Sequence, residues 1–379
     1  MRAKLSELGT VITGNTPSKQ ESRYWASSDI PFIKPDVINQ DGITELQAAN
    51  EYISEIARSK ARIVEKSVVL VTCIGSIGKI CLTGRECAFN QQINAIIPND
   101  KVLPEYLAYC IYYNRLGLIE LANAPVVPII NKRQFENFSV NIEENIGQQG
   151  SIVTILKAVD RLIYYRHKQL QKLDELVKAR FIELFGDPQR NPHGYKHTKL
   201  SDIATYYNGL TYKPENVAAE GTIVLRSSNI QNSQLDFADT IRVDCAIKER
   251  LMVQKNDILM CSRNGSAKLV GKVALIKDIQ EPMSFGAFMM IIRSHYFGYL
   301  MTYFQMDAFR QQIKTSATTT INQITGRMLD DVTIPLPPMA LVDQFAAFVE
   351  QTDKSKVAVQ KALDETQLLF DSLMQKYFR

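Results

Sequence analysis

The chain has 379 residues, enough for two ordinary domains with connecting segments, and its 45% hydrophobic and 22% charged composition excludes general disorder. It lacks both a run of about 18 apolar residues and the apolar core of a secretory signal, so we expect a cytoplasmic protein without a membrane partner. The net charge of +4 permits nucleic-acid binding without demonstrating it, and the six cysteines and four histidines are too scattered to predict a metal site.

Residues 1–145 form the first predicted segment. Short β-branched runs alternate there with turns rich in Gly, Pro and Asn, and one longer stretch has a helical pattern. This mixture is typical of an α+β domain.

Residues 146–186 form the second segment, a long helix. Between residues 151 and 185 there is no Gly or Pro, and apolar residues recur at alternating intervals of three and four, which is a heptad seam. The seam residues are Leu156, Val159, Ile163, Leu170, Leu173, Val177 and Leu184. Gly186 and Pro188 end the helix, whose length should be on the order of 50 Å.

Residues 187–335 repeat the first segment in the same order, at offsets between 189 and 195 residues. The matched pairs are KLSEL at 4–8 and KLSDI at 199–203, Gly14 and Gly209, the strand-like runs at 66–71 and 255–260, Gly78-Lys79 and Gly271-Lys272, Tyr106 and Tyr299, and Ile130-Asn131 and Ile321-Asn322. A period of about half the chain indicates a tandem domain duplication and not a solenoid.

Residues 336–379 form the second helical segment. A shift of 193 residues carries the first seam onto a weaker series in the same register: Val349, Val359, Leu363, Phe370, Leu373 and Tyr377. Residues 151–185 contain seven Lys/Arg and four Asp/Glu, whereas residues 341–378 contain four and six. A net positive helix and a net negative helix favour pairing with each other.

Two architectures are compatible with this duplication. In the first, the long helices pair antiparallel as a coiled coil that separates two similar α+β domains related by a pseudo-two-fold axis. In the second, each helix is an ordinary amphipathic helix packed on its own domain. We favour the coiled-coil spacer because neither domain needs so long a helix. It would present two similar domains in opposite directions, which suits the local two-fold symmetry of B-DNA.

Three features together resemble the specificity subunits of type I restriction-modification enzymes, and the resemblance covers essentially the whole chain. KLSEL opens a domain, IPLPP at 334–338 leads into VDQ at 342–344 and a long helix, and the chain duplicates both elements. The first copy departs from the pattern, because VNIEE at 140–144 lacks the prolines and leaves the start of the first helix open. The resemblance implies two target-recognition domains alternating with two helical spacers. It also implies a bipartite asymmetric DNA target, with one half-site read by each domain.

The resemblance further implies partners that carry the chemistry. Two adenine-N6 methyltransferase subunits would dock on the spacers, and motor-nuclease restriction subunits would join them. S-adenosylmethionine, ATP and Mg²⁺ are then expected in those partners, with no cofactor in this chain. The sequence agrees with a non-catalytic subunit, since it has no [ND]PP[FYW] motif, no Gly-x-Gly-x-Gly loop, and only a P-loop-like stretch at 75–80 with the wrong spacing.

Candidate DNA contacts follow from side-chain chemistry, because Arg or Lys reads guanine best, Asn or Gln reads adenine, and basic or small polar groups hold phosphates. In the first domain the candidates are an amide triplet before a strand, two lysines beside turns and a cluster after an apolar run: Asn90, Gln91, Gln92, Lys34, Lys79, Asn131, Lys132 and Arg133. A solvated turn is an equally good interpretation of the triplet. In the second domain the candidates are Arg226, Asn229, Arg263, Asn264 and Lys268.

The amide triplet is not repeated in the second domain, where FGA at 285–287 occupies that neighbourhood. Divergent loops on a shared scaffold are what two readers of unlike half-sites require. Two other functions remain open: a duplicated coiled-coil scaffold without DNA recognition, and a fused restriction-methylation enzyme, which the missing motifs disfavour.

Overall fold

The computed structural model describes residues 1–40, 42–122, 127–316 and 322–379. By packing, these residues divide into two compact units. Unit 1 comprises Met1–Lys168 with Val359–Arg379, and unit 2 comprises Gln169–Ala358. Each long helix therefore contributes to both units. The boundaries predicted at 145/146, 186/187 and 335/336 instead separate the α+β segments from the helical segments.

Unit 1 combines a five-stranded sheet of order β2-β10-β7-β8-β4, a four-stranded sheet of order β5-β3-β9-β6 and the pair β1-β11. Its strands are β1 (Arg2–Lys4), β2 (Gly9–Thr13), β3 (Ile30–Ile33), β4 (Thr44–Leu46), β5 (Glu51–Ile53), β6 (Ile63–Val64), β7 (Val69–Thr72), β8 (Ile80–Thr83), β9 (Cys87–Phe89), β10 (Ile93–Pro98) and β11 (Ser139–Asn141). Its shorter helices are α1 (Leu5–Leu8), α2 (Pro104–Tyr113), α3 (Arg115–Glu120) and α4 (Lys132–Asn137).

Unit 2 repeats this arrangement with sheets of order β13-β22-β19-β20 and β14-β18-β15-β21 and the pairs β12-β23 and β16-β17. Its strands are β12 (His197–Lys199), β13 (Thr205–Asn208), β14 (Val217–Ala218), β15 (Thr222–Leu225), β16 (Ile230–Gln231), β17 (Gln234–Leu235), β18 (Arg242–Val243), β19 (Ile258–Cys261), β20 (Val273–Leu275), β21 (Met283–Phe285), β22 (Met289–Arg293) and β23 (Thr333–Pro335). Its shorter helices are α6 (Leu200–Ile203), α7 (Phe297–Tyr303), α8 (Asp307–Ser316) and α9 (Gly326–Asp330). The long helices are α5 (Ile146–Phe185) and α10 (Met339–Phe378), each of 40 residues.

The two units share their turns down to individual hydrogen bonds. After β7 the Gly78 N–H donates to the Thr72 carbonyl at 3.0 Å, and after β19 the Gly271 N–H donates to the Cys261 carbonyl at 2.9 Å. Both glycines have a left-handed backbone, with φ of +83° and +82°, which glycine adopts without steric cost. The predicted Gly-Lys match is confirmed.

A second pair of glycines matches because backbone approaches them closely. A Cβ on Gly14 would lie 2.2 Å from the Asn90 carbonyl oxygen, and one on Gly209 would lie 2.1 Å from the Gly286 carbonyl oxygen. No side chain fits in either place. This contact also shows that Gly286 is the structural equivalent of Asn90.

One predicted match is wrong in register. The Ile130 N–H donates to the Cys73 carbonyl at 2.9 Å, and the equivalent bond in unit 2 is made by Ile324, which donates to the Ser262 carbonyl at 2.7 Å. Ile130 therefore corresponds to Ile324; Ile321, its predicted match, lies outside the described residues. The sequence match was misplaced because an Ile-Asn dipeptide, like Ile130-Asn131, occurs three residues before Ile324.

Within unit 2, α5 and α10 run antiparallel. Phe181 lies 5.6 Å from Phe345 between ring centroids, Arg180 lies over the Phe348 ring, and Asp174 pairs with Lys356 at 2.6 Å. The numbers on α10 rise as those on α5 fall, which is the antiparallel order. All the predicted seam residues of both helices are buried or half-buried. Helices packed only on their own domains are therefore excluded.

The ends of the long helices make equivalent contacts in the two units. The last residue of α5, Phe185, packs on Tyr299 with ring centroids 5.1 Å apart, and the last residue of α10, Phe378, packs on Tyr106 at 5.1 Å. All four side chains are buried. Each sequence repeat thus has its core completed by the end of the other repeat's helix.

The ion pair between the long helices is the opposite of what their net charges predict, because the acidic residue lies on α5 and the basic residue lies on α10. Among the described residues, the ion pair between α5 and α10 joins Lys356 of the net negative helix to Asp174 of the net positive helix. Net charge is a poor guide here because exposed ion pairs contribute little, and burial of the seam does more to hold the helices.

The start of the first helix, which the sequence left open, lies at Ile146. The Asn145 side-chain oxygen accepts from the Gln148 N–H at 3.0 Å, which is an N-cap that replaces the prolines of the second copy. Among the described helices, none combines the length and apolar composition that a membrane span requires.

Candidate nucleic-acid interface

In unit 1, three turns meet at one end of the strands. The Asn90 N–H donates to the Ile33 carbonyl at 3.1 Å, and the Cys73 N–H donates to the Gln92 carbonyl at 2.7 Å. These bonds join the turns after β3, β7 and β9. We call residues 34–37, 73–79 and 90–92 the edge loops of unit 1, and residues 226–229, 262–271 and 286–288 those of unit 2.

The same bonds join the edge loops of unit 2. The Gly286 N–H donates to the Leu225 carbonyl at 2.9 Å, and the Ser262 N–H donates to the Phe288 carbonyl at 2.9 Å. The structure therefore gathers most of the predicted DNA-contact residues at equivalent places in the two units.

Lys34 and Lys79 are both engaged within unit 1. Lys34 forms an ion pair with Glu51, and this hydrogen bond raises the pKa of Lys34. The Lys79 ammonium donates to the Pro35 carbonyl at 3.0 Å. Both lysines fasten the edge loops to each other or to the sheet, so a phosphate contact by either would require it to leave its present partner.

The amide triplet divides into one anchoring residue and two presented residues. Asn90 is 5% exposed; its amide donates to the Gln92 side-chain oxygen at 2.8 Å, and its own oxygen accepts from the Gln92 N–H at 3.1 Å. Gln91 is exposed and accepts from the Thr16 hydroxyl at 2.7 Å. The turn is ordered by Asn90, which leaves the amide NH₂ groups of Gln91 and Gln92 as the available base-reading donors.

The cluster at 131–133 surrounds the start of α4. Asn131 caps this helix by accepting from the Gln134 N–H at 2.9 Å, and Lys132 lies 3.5 Å from Glu136. Arg133 is exposed, and its side chain makes no hydrogen bond or ion pair with the described residues. It lines a groove of about 470 Å³ together with Arg2.

In unit 2, Asn229 is a loop anchor and not a presented amide. It is 1% exposed, and its amide donates to the Asp236 and Asp239 carbonyls at 2.8 Å each. Because both amide hydrogens are used inside the protein, the predicted base contact by Asn229 does not fit this structure. Arg226 is likewise held, at 2.7 Å from Asp239.

Arg263 is presented to solvent in a fixed orientation. Its Nε and Nη2 donate to the Gln323 side-chain oxygen at 3.1 and 2.6 Å, and the two backbones form an antiparallel bridge. Asn264 donates to the Ser227 hydroxyl at 3.3 Å, which links two edge loops. Lys268 is exposed. The free edge of the Arg263 guanidinium could donate two hydrogen bonds to one acceptor pair, as guanine requires.

Sequence reasoning missed Gln323 and Phe288. Phe288 is 58% exposed, yet its carbonyl accepts from the Ser262 and Arg263 N–H groups, so the residue is firmly placed. Since Gly286 corresponds to Asn90, Phe288 corresponds to Gln92, and Phe285 matches Phe89 instead of belonging to the divergent loop. Alignment of Phe89 with Phe285 would have located it.

The described residues contain no group of three His, Cys, Asp or Glu side chains placed to hold a metal ion. The six cysteines are free, and five are buried. Burial raises the pKa of Cys73 to about 12, so this thiol stays protonated near the edge loop.

Comparison with known proteins identifies the fold and the family. The family model described as the type I restriction modification DNA specificity domain matches twice, at residues 1–175 and 192–366. The chain belongs to this family. Specificity subunits are recognition components without catalysis of their own, and the two matches give this specificity subunit two target-recognition domains.

Curated relatives of this specificity subunit carry the same description. The MjaIX specificity subunit of Methanocaldococcus jannaschii is 23% identical over 405 residues, covering 98% of this chain and 91% of the relative. The EcoKI specificity subunit of Escherichia coli K12 is 29% identical over 178 residues, covering 44% of this chain and 38% of the relative.

Solved structures agree on the fold. The type I restriction-modification S subunit from M. genitalium has a TM-score of 0.58 at 14% identity and covers 100% of this chain and 96% of its own. A chain from a study of complex assembly and conformational transition of the type I system has a TM-score of 0.57 at 15% identity and covers 100% and 97%.

Proposed function

We propose that this specificity subunit directs a type I restriction-modification complex to a bipartite asymmetric DNA target and that each unit reads one half-site. One observation carries the proposal. The edge loops of the two units share their backbone hydrogen bonds, yet Gly286, Ala287 and Phe288 stand in unit 2 where Asn90, Gln91 and Gln92 stand in unit 1. A constant frame with changed presenting residues is what two readers of different sequences need.

The presented side chains differ in what they can read. In unit 1, Gln91 and Gln92 offer amides suited to adenine. In unit 2, the Arg263 guanidinium is suited to guanine, with Gln323 as a positioning residue, and the exposed ring of Phe288 is suited to the methyl group of thymine. The two half-sites should therefore differ in composition.

Two adenine-N6 methyltransferase subunits would dock on the outer faces of α5 and α10. Large apolar residues stand exposed there, among them Tyr164 at 60% and Leu368 at 70%. Apolar groups exposed along a helix favour a protein partner. Motor-nuclease subunits would complete the complex, with S-adenosylmethionine, ATP and Mg²⁺ bound by the partners.

The paired helices would set the gap between the half-sites. At about 1.5 Å per residue, a 40-residue helix is on the order of 60 Å long.

Methylome sequencing of a host that expresses the complete complex tests the proposal. The parent chain should give an asymmetric two-part motif. Arg263→Ala should relax one half-site only, by about 1–3 kcal/mol of discrimination, and Gln323→Ala should relax the same positions less. Arg250→Ala is the control, because Arg250 is exposed in the same unit but lies next to the segment bonded to the start of β21, where the Val253 N–H donates to the Met283 carbonyl at 3.0 Å. The edge loop at 286–288 lies at the other end of that strand.

Three outcomes would contradict the proposal at different levels. Equal weakening on all DNA would make Arg263 a phosphate contact. Absence of sequence-selective DNA binding when the methyltransferase is present would instead favour a duplicated scaffold, and methylation by this chain alone would favour the fused enzyme.

A further inference from the structure

Two exposed arginines occupy equivalent positions in the two units. Arg133 is the second residue of α4 and Arg327 is the second residue of α9. Asn131 caps the first helix by accepting from the Gln134 N–H, and Thr325 caps the second by accepting from the Met328 N–H at 3.3 Å. Neither arginine forms a hydrogen bond or ion pair with the described part of the chain through its side chain.

Both arginines follow directly on the segment that is bonded to an edge loop. Ile130 donates to Cys73 in unit 1, and Ile324 donates to Ser262 in unit 2. The helix cap comes next in each case, and the arginine lies two residues beyond the cap. The fold therefore holds the backbone of the two arginines in the same relation to the loops that present Gln92 and Arg263.

Comparison of the two units distinguishes residues that bind a feature common to both half-sites from residues that bind a feature of one half-site. A residue that both readers keep cannot account for different base sequences, so its ligand must be present in both half-sites. In double-stranded DNA that common feature is the phosphate backbone. Gln92 and Phe288, which differ, are left for the bases.

A basic residue can also be repeated in both units because it stabilises the fold. The edge loops contain one such pair. Lys34 and Arg226 are equivalent, but each is neutralised, by Glu51 and Asp239 respectively. Arg133 and Arg327 are exposed and have no such partner among the described residues, so folding does not account for their repetition.

We infer that Arg133 and Arg327 are equivalent phosphate-contact residues, one for each half-site, which position the units on the duplex without contributing to base preference. Arg2 adds a second positive charge to the groove at Arg133. This inference rests on the proposed function, because it presumes that the edge loops face DNA.

The test is fluorescence-anisotropy titration of the assembled complex of this chain with its methyltransferase, using the methylome-defined target and duplexes altered in either half. Each of Arg133→Ala and Arg327→Ala should weaken all duplexes about five- to tenfold near 0.1 M salt. Each should also reduce the slope of log affinity against log salt by about one. Arg→Lys at either position should retain most of the affinity, because a phosphate contact needs charge more than fork geometry.

Arg85→Ala is the matched control, since it removes one exposed charge between β8 and β9, at the end of those strands opposite the edge loops. It should leave affinity and salt slope unchanged. An unchanged salt slope in the Arg133 and Arg327 variants, an effect confined to base changes in one half-site, or failure to assemble with the methyltransferase would each overturn the inference. Failure of the parent complex to select its target would overturn the proposed function instead.

Discussion

Units 1 and 2 have the same framework but treat buried charge differently. In unit 2, Asp257 is almost fully buried and accepts two hydrogen bonds from Arg293, both at 2.7 Å. The equivalent positions in unit 1 are Val68 and Ile97. The same turn and the same strand end thus carry an ion pair in unit 2 and two apolar residues in unit 1, one of them the exposed Ile97, so the framework does not require the ion pair.

The long helices show a second difference at matched positions. Asp353 on α10 lies 2.6 Å from Lys277 and 3.7 Å from Lys356. Its counterpart on α5, Asp160, forms no ion pair with the described residues, and burial raises its pKa. Contacts that both units make should therefore be essential to folding. Contacts that only one unit makes should affect the stability of that unit alone.

The largest expected effect is on the shared helix-end contact. Phe185→Ala and Phe378→Ala should each lower the free energy of unfolding by roughly 3–5 kcal/mol, because each removes a buried ring from a packed core. Urea denaturation measures the loss, and hydrogen exchange should place it in unit 2 for Phe185 and in unit 1 for Phe378. Tyr164→Ala, on an exposed ring, should cost less than about 0.5 kcal/mol; equal costs for all three variants would contradict the crosswise packing.

The buried ion pair should matter in unit 2 alone. Asp257→Ala should cost about 3 kcal/mol, because it leaves Arg293 without its partner. The double variant Asp257→Val with Arg293→Ile installs the residues of unit 1 and should recover most of that loss, to within about 1 kcal/mol of the parent. Urea denaturation of the three proteins decides the matter. A double variant no better than the single one would mean that the two units are not interchangeable here.

Exchange of the presented residues should separate the two half-sites. Gln92→Ala should weaken discrimination in one half and Phe288→Ala in the other, each by about 1–3 kcal/mol in binding to base-substituted duplexes. Uracil in place of thymine in the half-site read by unit 2 should weaken binding by the parent but not by Phe288→Ala. Sensitivity of both half-sites to one substitution would remove the division of labour between units.

The smallest effect concerns the unmatched carboxylate. Because the pKa of Asp160 is raised in the folded state, the folded protein binds this proton more tightly than the unfolded chain does. The resulting contribution to the free energy of unfolding is complete below the ordinary Asp pKa of about 4 and is lost as pH rises. Asp160→Asn should therefore raise the Tm at pH 7, and the gain should vanish as pH falls toward about 4. Asp353→Asn should lower the Tm slightly at pH 7, because it removes two ion pairs; a loss with Asp160→Asn would show that its charge is stabilised.

Duplication, spacer seams and the α+β mixture were predictable because they leave periodic or repeated marks in the sequence. The crosswise packing of helix ends was not, since Tyr106 and Tyr299 are identical and either Phe185 or Phe378 could pack on either one. The ion pair between Asp174 and Lys356 was also beyond prediction, because it depends on the registry of two helices and not on their net charge.

The site was predictable to the level of loops but not of individual amides. Asn90, Asn131 and Asn229 all proved to anchor turns or a helix, because an asparagine side chain bonds to nearby backbone as readily as to a base. Phe288 escaped notice because an aromatic residue beside a strand is most often part of the core. Local patterns do not distinguish an internal hydrogen bond from an external one.

The exchange of helix ends has a consequence for truncated forms of the protein. A fragment of residues 1–185 would lack Phe378 and the rest of the segment that covers Tyr106, but it would carry Phe185, the equivalent of Phe378. Two copies of that fragment could supply each other with the missing ring. The expected product is a symmetric homodimer with two identical recognition domains, and its DNA target would be a palindrome.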